Sequence, residues 1–319
     1  MDKPWDQLNT PSGIKINTKR ISSHHPVDLF YGKDIDGSYL FLYRANTLLH
    51  QKLEEGLSIE GIDISLNDVK GQTMLLLKLE DSQNWEMFSA LCDDLIHATE
   101  AAEPDDLSII STTLARLRKW QKFLKSKRFK IMSPEMQMGL YGELLFLKED
   151  LIPRIGVQTA IQSWVGPEGA PQDFQIEEMA VEIKSKSGVT QQTVRINNID
   201  QLYSKLPKLK LKVYTFAFYD HEEPESYSLN SIIESIRELA CACPSDTIDR
   251  FDNLLESVDY VHLKVYGDRF YITSNSTTFD VINDFPKITR KNTHDAIENA
   301  EYTLNLGALD DFKIKDVWS

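Results

Sequence analysis

At 319 residues, with 41% hydrophobic and 26% charged side chains, the sequence has the composition of a folded chain long enough for two domains. Its formal net charge of −14 argues against a general nucleic-acid coat protein. No run approaches the ~20 apolar residues of a membrane helix, three cysteines cannot build a disulfide framework, and Met1–Asp6 has no apolar signal region, so a cytoplasmic chain without a membrane partner is expected.

Residues 1–82 read as β-rich. Gly13–Ile16 alternates polar and apolar, and Ser38–Tyr43 and Met74–Leu79 are strong strand candidates, with Asp36-Gly37 as a turn ahead of the first of these. His24-His25, beside Pro26, reads as a surface feature rather than a ligand pair. From Asn84 onwards Trp85, Phe88, Leu91, Leu95 and Ile96 recur at helical spacing. A second helix is predicted from Leu107 to Lys130, after an acidic connector broken by Pro104.

That second helix carries Arg116, Arg118, Lys119, Lys122, Lys125, Lys127, Arg128 and Lys130 with no acid between them. Either it is a solvated face, or its cations lie across a phosphate backbone, which would offset their mutual repulsion. Charge is unevenly spread: residues 113–212 hold 17 basic and 10 acidic side chains, while both flanking thirds are acidic. Arg118, Lys119, Lys122, Lys125 and Arg128, together with Lys186, are the expected nucleic-acid contacts.

Ser133-Pro134-Glu135 is a helix start, with a capping hydroxyl, proline at the first helical position and an acid in the first turn. The helix is expected to run through Gly139 and Gly142 and to stop before Pro153. Two helical glycines suggest close backbone packing there, because each costs about 1 kcal/mol. Ala160–Val165 reads as a strand and Gly166–Pro171 as a loop.

The most informative stretch is Gln172–Ser185. Residues 173–176 and 181–184 alternate, so each is a half-buried strand, with a tight turn between them at Glu178-Met179 or, as the poorer choice, Glu177-Glu178. Either turn puts Phe174, Ile176, Val181 and Ile183 on one face and Asp173, Gln175, Glu182 and Lys184 on the other. The polar patch is either a solvated hairpin face or a hard-cation site, in which carboxylate oxygens hold Mg²⁺ beside a polarising lysine. Further on, a helix is expected over 198–206 with Gln201 on it, then a strand over 211–219. Helices are predicted near 229–242 and 246–257, a hairpin over 260–273 turning at Gly267-Asp268, and a strand near 302–306. The expected divisions are a β-rich region ending in two helices over 1–130, a core over 131–220 and an α/β extension over 221–319.

The helix-strand-strand-strand-helix-strand order over 134–219, with Asp173 on one strand and Glu182-x-Lys184 on the next, resembles the PD-(D/E)XK nuclease superfamily. Gly142-Glu143-Leu144, Trp164 with Gly166-Pro167, Asp173-Phe174, Val181–Lys184 and Gln201-Leu202 are similar to a bacterial PD-(D/E)XK-motif family whose members tend to lie beside anti-phage defence genes. The resemblance implies an α/β (α+β) fold with a restriction-endonuclease-like core, a mixed central sheet flanked by helices. It implies Asp173 and Glu182 as metal-binding carboxylates, Lys184 as catalytic lysine, Glu143 as an accessory carboxylate, metal-binding as well, and Gln201 near the site. Mg²⁺, replaceable by Mn²⁺, is the implied cofactor, with DNA and other proteins of a defence complex as partners. The literal Pro-Asp pair is absent, since Gln172 precedes Asp173. A Mg²⁺-dependent DNA endonuclease is the leading expectation, and a silent nuclease-fold subunit for DNA docking or assembly the alternative.

Overall fold

The computed structural model describes residues 3–13, 16–49, 53, 56–100, 102–126, 131–188, 192–282 and 284–319. Ile14, Lys15 and residues 127–130, and with them Arg128, lie outside the described residues. The chain divides into two compact units, 1–131 with 262–264, and 132–261 with 265–319. No described helix is long and apolar enough to cross a membrane.

In the first unit, β1 (Asn17–Arg20), β2 (Leu29–Lys33), β3 (Tyr39–Arg44), β4 (Ile62–Val69) and β5 (Gln72–Leu79) form one antiparallel sheet in the order β1-β2-β3-β5-β4. β5 alternates as its sequence requires: Thr73, Leu75, Leu77 and Leu79 point into the core. Helices α1 (Trp85–Glu100) and α2 (Asp106–Ser126) follow. His25 departs from the surface reading. Its ring is 4% exposed and lies between the carbonyls of Val27 and Ile96, 3.2 and 3.1 Å away, because a buried imidazole must find partners for both nitrogens.

The second unit opens with α3 (Pro134–Leu145), capped by the Ser133 side chain on the Met136 amide. The helical run does not stop before Pro153. It widens into a π-helical segment, Phe146–Leu151, and continues as α4 (Ile152–Ile155). Proline is tolerated there because it occupies the first turn of a restarted helix, where no intrahelical donor is needed.

The predicted strand at Ala160–Val165 is instead α5 (Val157–Ser163), followed by a single bridge from Trp164 to Phe174. Val157, Ala160, Ile161 and Trp164 recur at i, i+3, i+4 and i+7, the helical spacing that a six-residue window hides. Next come β6 (Phe174–Ile176), β7 (Met179–Ser187), β8 (Thr193–Ile196) and β9 (Lys208–Tyr219). Then follow β10 (Tyr227–Ser228), α6 (Leu229–Ala240), α7 (Ser245–Ser257), β11 (Phe270–Asp280), β12 (Tyr302–Asn305) and β13 (Lys313–Ile314).

The central sheet is mixed: β10-β11-β9-β7-β6, with β13 also on β11, is antiparallel except where β7 runs parallel to β9. β8 and β12 pair separately. Two further expectations fail. The hairpin over 260–273 does not form, because Lys264–Tyr266 is a 3-10 turn and β11 pairs along the length of β9 instead. A long ladder with an established strand satisfies more backbone groups than a local turn could. The helix over 198–206 is a series of turns, in which the Asn198 side chain accepts the Asp200 amide at 2.8 Å, local chemistry that competes with helix.

On one face of the central sheet Ala180, Leu211, Val213 and Phe279 share an apolar cluster with Val194, Ile196 and Leu304 of the β8–β12 pair. On the other, α3 lies against β7 through Gly142. A Cβ there would collide with Ser185 Oγ and sit 3.6 Å from Ile183 Cγ2, whereas one on Gly139 would meet nothing within 4 Å. Only Gly142 is a close approach, so the two glycines should respond oppositely. Gly139→Ala should stabilise the protein by up to about 1 kcal/mol. Gly142→Val should destabilise it by about 1–3 kcal/mol. Denaturant unfolding of the two variants checks both signs.

Candidate active site

The turn between β6 and β7 is Glu177-Glu178, not Glu178-Met179. Glu177 adopts the left-handed region at φ 49°, and Met179 is withdrawn into the strand, where its side chain is buried. The facing pattern survives the change, as period two requires. Phe174 lies opposite Val181, so the next positions outward are Asp173 and Glu182.

β6 begins at Phe174, and just before it the Asp173 side chain takes over. Its Oδ2 accepts the Ile183 amide at 2.7 Å, a backbone donor that a longer β6 would have met with a carbonyl. Asp173 is held from behind as well: the amides of Val165 and Gly166 both donate to its carbonyl at 2.9 Å. Gly166 is required there, since a Cβ would lie 3.1 Å from both Asp173 Cα and Oδ1.

Glu143 projects from α3, where its Oε2 accepts Trp164 Nε1–H at 2.8 Å. Glu182 is 1% exposed, with Oε1 bonded to Lys184 Nζ at 2.8 Å, while its Oε2 is buried without a hydrogen-bond partner. Lys184 Nζ also donates to Gln201 Oε1 at 3.2 Å, and that oxygen accepts the Asn197 amide at 2.9 Å. The fold therefore gathers Glu143, Asp173, Glu182, Lys184 and Gln201, with Gln201 on a turn rather than a helix. Burial of Glu182 removes the solvated-face reading of the patch.

The electrostatics follow from three carboxylates around one lysine. Burial, and then the neighbouring Asp173, push Glu182 up to about 8 against the pull of Lys184. Burial raises Asp173 to about 6, opposed by the Ile183 hydrogen bond and by Lys184. Burial first and Asp173 second hold Glu143 well above the usual carboxylate range, with the Trp164 bond acting the other way. Such a donor set fits a hard divalent cation: several carboxylate oxygens, one of them buried and orphaned, and an excess of negative charge to neutralise. Asp173, Glu182 and Glu143 are the residues that would hold it.

The nucleic-acid candidates divide. Lys186 follows Lys184 on the same face of β7, and its Nζ donates to the Gly188 carbonyl at 3.2 Å. Arg118, Lys119, Lys122 and Lys125 are exposed on α2, in the first unit, while the carboxylates belong to the second. Arg116 is not free of a counter-charge, as the sequence suggested: its Nε donates to Asp94 Oδ2 at 3.1 Å, and Trp120 Nε1 donates to the same oxygen at 2.9 Å. Two residues that sequence reasoning left without a role are now placed. Trp164 orients Glu143, and Gln172 sends its side chain to the 200–203 turn.

The sign of the pH effect can be worked out. A carboxyl raised in the folded state binds its proton more tightly than in the unfolded chain. Its contribution to stability is complete below the ordinary carboxylate range and is lost as pH rises through the folded value. Without metal, stability should fall between about pH 4.5 and 8 through Glu182, with Asp173 adding a steeper portion below about 6. Glu182→Gln should flatten that fall and melt higher than wild type at pH 8. Mg²⁺ or Mn²⁺ should raise the wild-type melting temperature more at pH 8 than at pH 5. Thermal melts across pH, with and without metal, check both expectations.

Residues 1–307 match the family model described as "Putative PD-(D/E)XK family member, (DUF4420)". No curated protein and no solved structure matches the chain. The match covers the first unit, the second as far as residue 307, and every residue of the carboxylate–lysine cluster. The chain belongs to this PD-(D/E)XK-type family.

Proposed function

We propose that the protein is a Mg²⁺-dependent DNA endonuclease, with Mn²⁺ able to substitute, and that it serves with partner proteins in a prokaryotic anti-phage or restriction system. One observation carries the nuclease reading: Glu143, Asp173 and Glu182 converge on Lys184, with a buried Glu182 oxygen left unpartnered. A structural salt bridge needs one carboxylate per lysine, and an excess of buried acids is costly unless a cation is to be held. The defence setting rests on the family resemblance alone.

The chemistry such a cation supplies when bound is neutralisation of charge on the phosphate and a lowered pKa for a coordinated water. The protein's own groups do the rest. Asp173, just before β6, and Glu182 on β7 would hold the cation, and Glu143 on α3 would add a third carboxylate. Lys184 has three N–H donors, of which Glu182 and Gln201 take two. The third is available to orient the attacking water or a non-bridging phosphate oxygen, where positive charge stabilises the transition state. The exposed cations of α2, and Lys186 on β7, would bind phosphates.

Plasmid, linear and single-stranded DNA incubated with Mg²⁺ or Mn²⁺, with and without candidate partner proteins, test the reading. Lys184→Ala should lower cleavage by at least about 10³-fold while leaving metal binding and DNA affinity near wild type. Asp173→Asn and Glu182→Gln should lose cleavage together with metal binding. Metal-dependent cleavage that persists in Lys184→Ala would sink the assignment of the lysine. Absence of cleavage by wild type on all three substrates, with partners present, would return the chain to a docking or assembly role.

The basic helix is tested separately. Replacing Arg118, Lys122 and Lys125 by Glu should weaken DNA binding and flatten its salt dependence, because each phosphate contact contributes close to one unit of log–log slope. An unchanged slope in a fluorescence-anisotropy titration would make α2 a solvated face.

A further inference from the structure

Gln172 precedes the Asp173 carboxylate and is 3% exposed. Its side-chain amide is aimed away from the carboxylates. Nε2 lies 2.8 Å from the carbonyl of Asp200, 3.2 Å from that of Gln201 and 2.9 Å from that of Tyr203. Two N–H groups thus serve three carbonyls of one turn, of which that of Asp200 also accepts the Tyr203 amide at 3.1 Å. The same turn is the one that presents Gln201 Oε1 to Lys184 Nζ.

We infer that Gln172 is a positioning residue: its amide holds the 200–203 turn so that Gln201 fixes the Lys184 ammonium beside Glu182. The inference rests on the nuclease reading for its consequence, but not for its geometry. Asp173 and Gln172 are adjacent and alternate in direction. One backbone segment therefore sends a carboxylate to the Ile183 amide on β7 and an amide to the loop that restrains the lysine on β7. A shift of this segment moves the metal-binding acid and the lysine's restraint together, so their spacing is kept by covalent geometry.

The turn has other anchors, and they set what Gln172 alone controls. Arg290 forms a two-pronged pair with the Asp200 carboxylate, at 2.9 and 2.8 Å, and the Asn299 side chain accepts the Ile199 amide at 3.2 Å. These contacts hold the turn by its side chain at Asp200 and its amide at Ile199, and the Asn197 amide holds Gln201 Oε1 at 2.9 Å. Gln172 holds the carbonyls, including that of Gln201 itself. Loss of Gln172 should therefore leave the turn in place and free those carbonyls, loosening Gln201 rather than unfolding the unit.

Gln172→Met keeps the volume and removes the donors. Hydrogen-exchange mass spectrometry should find exchange over 197–203 at least about 10-fold faster in Gln172→Met, with β7 and α3 exchanging as in wild type. This readout needs no catalysis. Unchanged exchange over 197–203 would overturn the inference whatever the protein's activity. Where wild type cleaves DNA, Gln172→Met should lower kcat about 10–100-fold, the range for partners that orient reacting groups. Metal affinity and KM for DNA should stay within about 2-fold. Gln201→Met should show the same pattern, and the double variant should be no slower than the slower single one. A kcat loss matched by an equal loss of metal affinity, or losses that multiply in the double variant, would show that Gln172 acts through Asp173 and overturn the inference. If wild type cleaves nothing, the nuclease reading fails, and the exchange measurement still decides the role of Gln172.

Discussion

Everything at the carboxylate cluster depends on one hydrogen bond, from the Ile183 amide to Asp173 Oδ2. It joins the end of a three-residue strand to the middle of a nine-residue one, at the point where backbone pairing stops. With it in place, Asp173 cannot rotate away from β7, and Glu182 at the adjacent position must share its surroundings. The Val165 and Gly166 amides on the Asp173 carbonyl close the other side, so the residue is held at both its backbone and its side chain. Trp164, one residue earlier, extends the same loop to Glu143. Sheet, loop and α3 are thereby brought to a common point by a few short polar contacts inside an otherwise apolar setting.

Those contacts explain why the cluster is expensive in the absence of a cation. Carboxylates removed from water prefer to be protonated, and only one lysine offers relief. Stability is drawn instead from the layers around it. The Phe146–Phe174 contact lies on the α3 side, where Tyr141 also meets Phe216 on β9, and the apolar cluster shared by β8, β9, β12 and β11 lies on the other. A functional site that strains its surroundings in this way tends to gain stability when one of its charges is removed.

Much of this was legible in the sequence, and the misses are informative. The alternation of 173–176 and 181–184 placed Asp173, Glu182 and Lys184 on one face whichever turn formed, because period two does not depend on that choice. The fold class was what the resemblance implied, while periodicity by itself found the strands at β3, β5 and β9 and the helices at α1, α3, α6 and α7. The sequence window over 160–165 was too short to separate helix from strand, and Trp164 became visible as a Glu143 partner only in three dimensions. Gln201 was placed near the lysine for the wrong local reason, since Asn198 and Asp200 make turns there. Gln172 was read as a missing proline. Nothing in a linear pattern indicates that a side-chain amide will find three carbonyls about thirty residues away.

β6 lies at the edge of its sheet, where an unpaired row of backbone groups invites the strand of another molecule. Here that row is nearly absent. The strand has three residues, Trp164 bridges Phe174, and the Asp173 side chain occupies the first ladder position beyond it. The acid that would hold a cation also occupies the backbone donor that an incoming strand would use. An alanine at this position would remove this cap with the charge, leaving the Ile183 amide open to an incoming strand, whereas asparagine would keep an oxygen there. The carboxylate and the strand-end cap are thus one side chain at Asp173, and only the choice of replacement separates them.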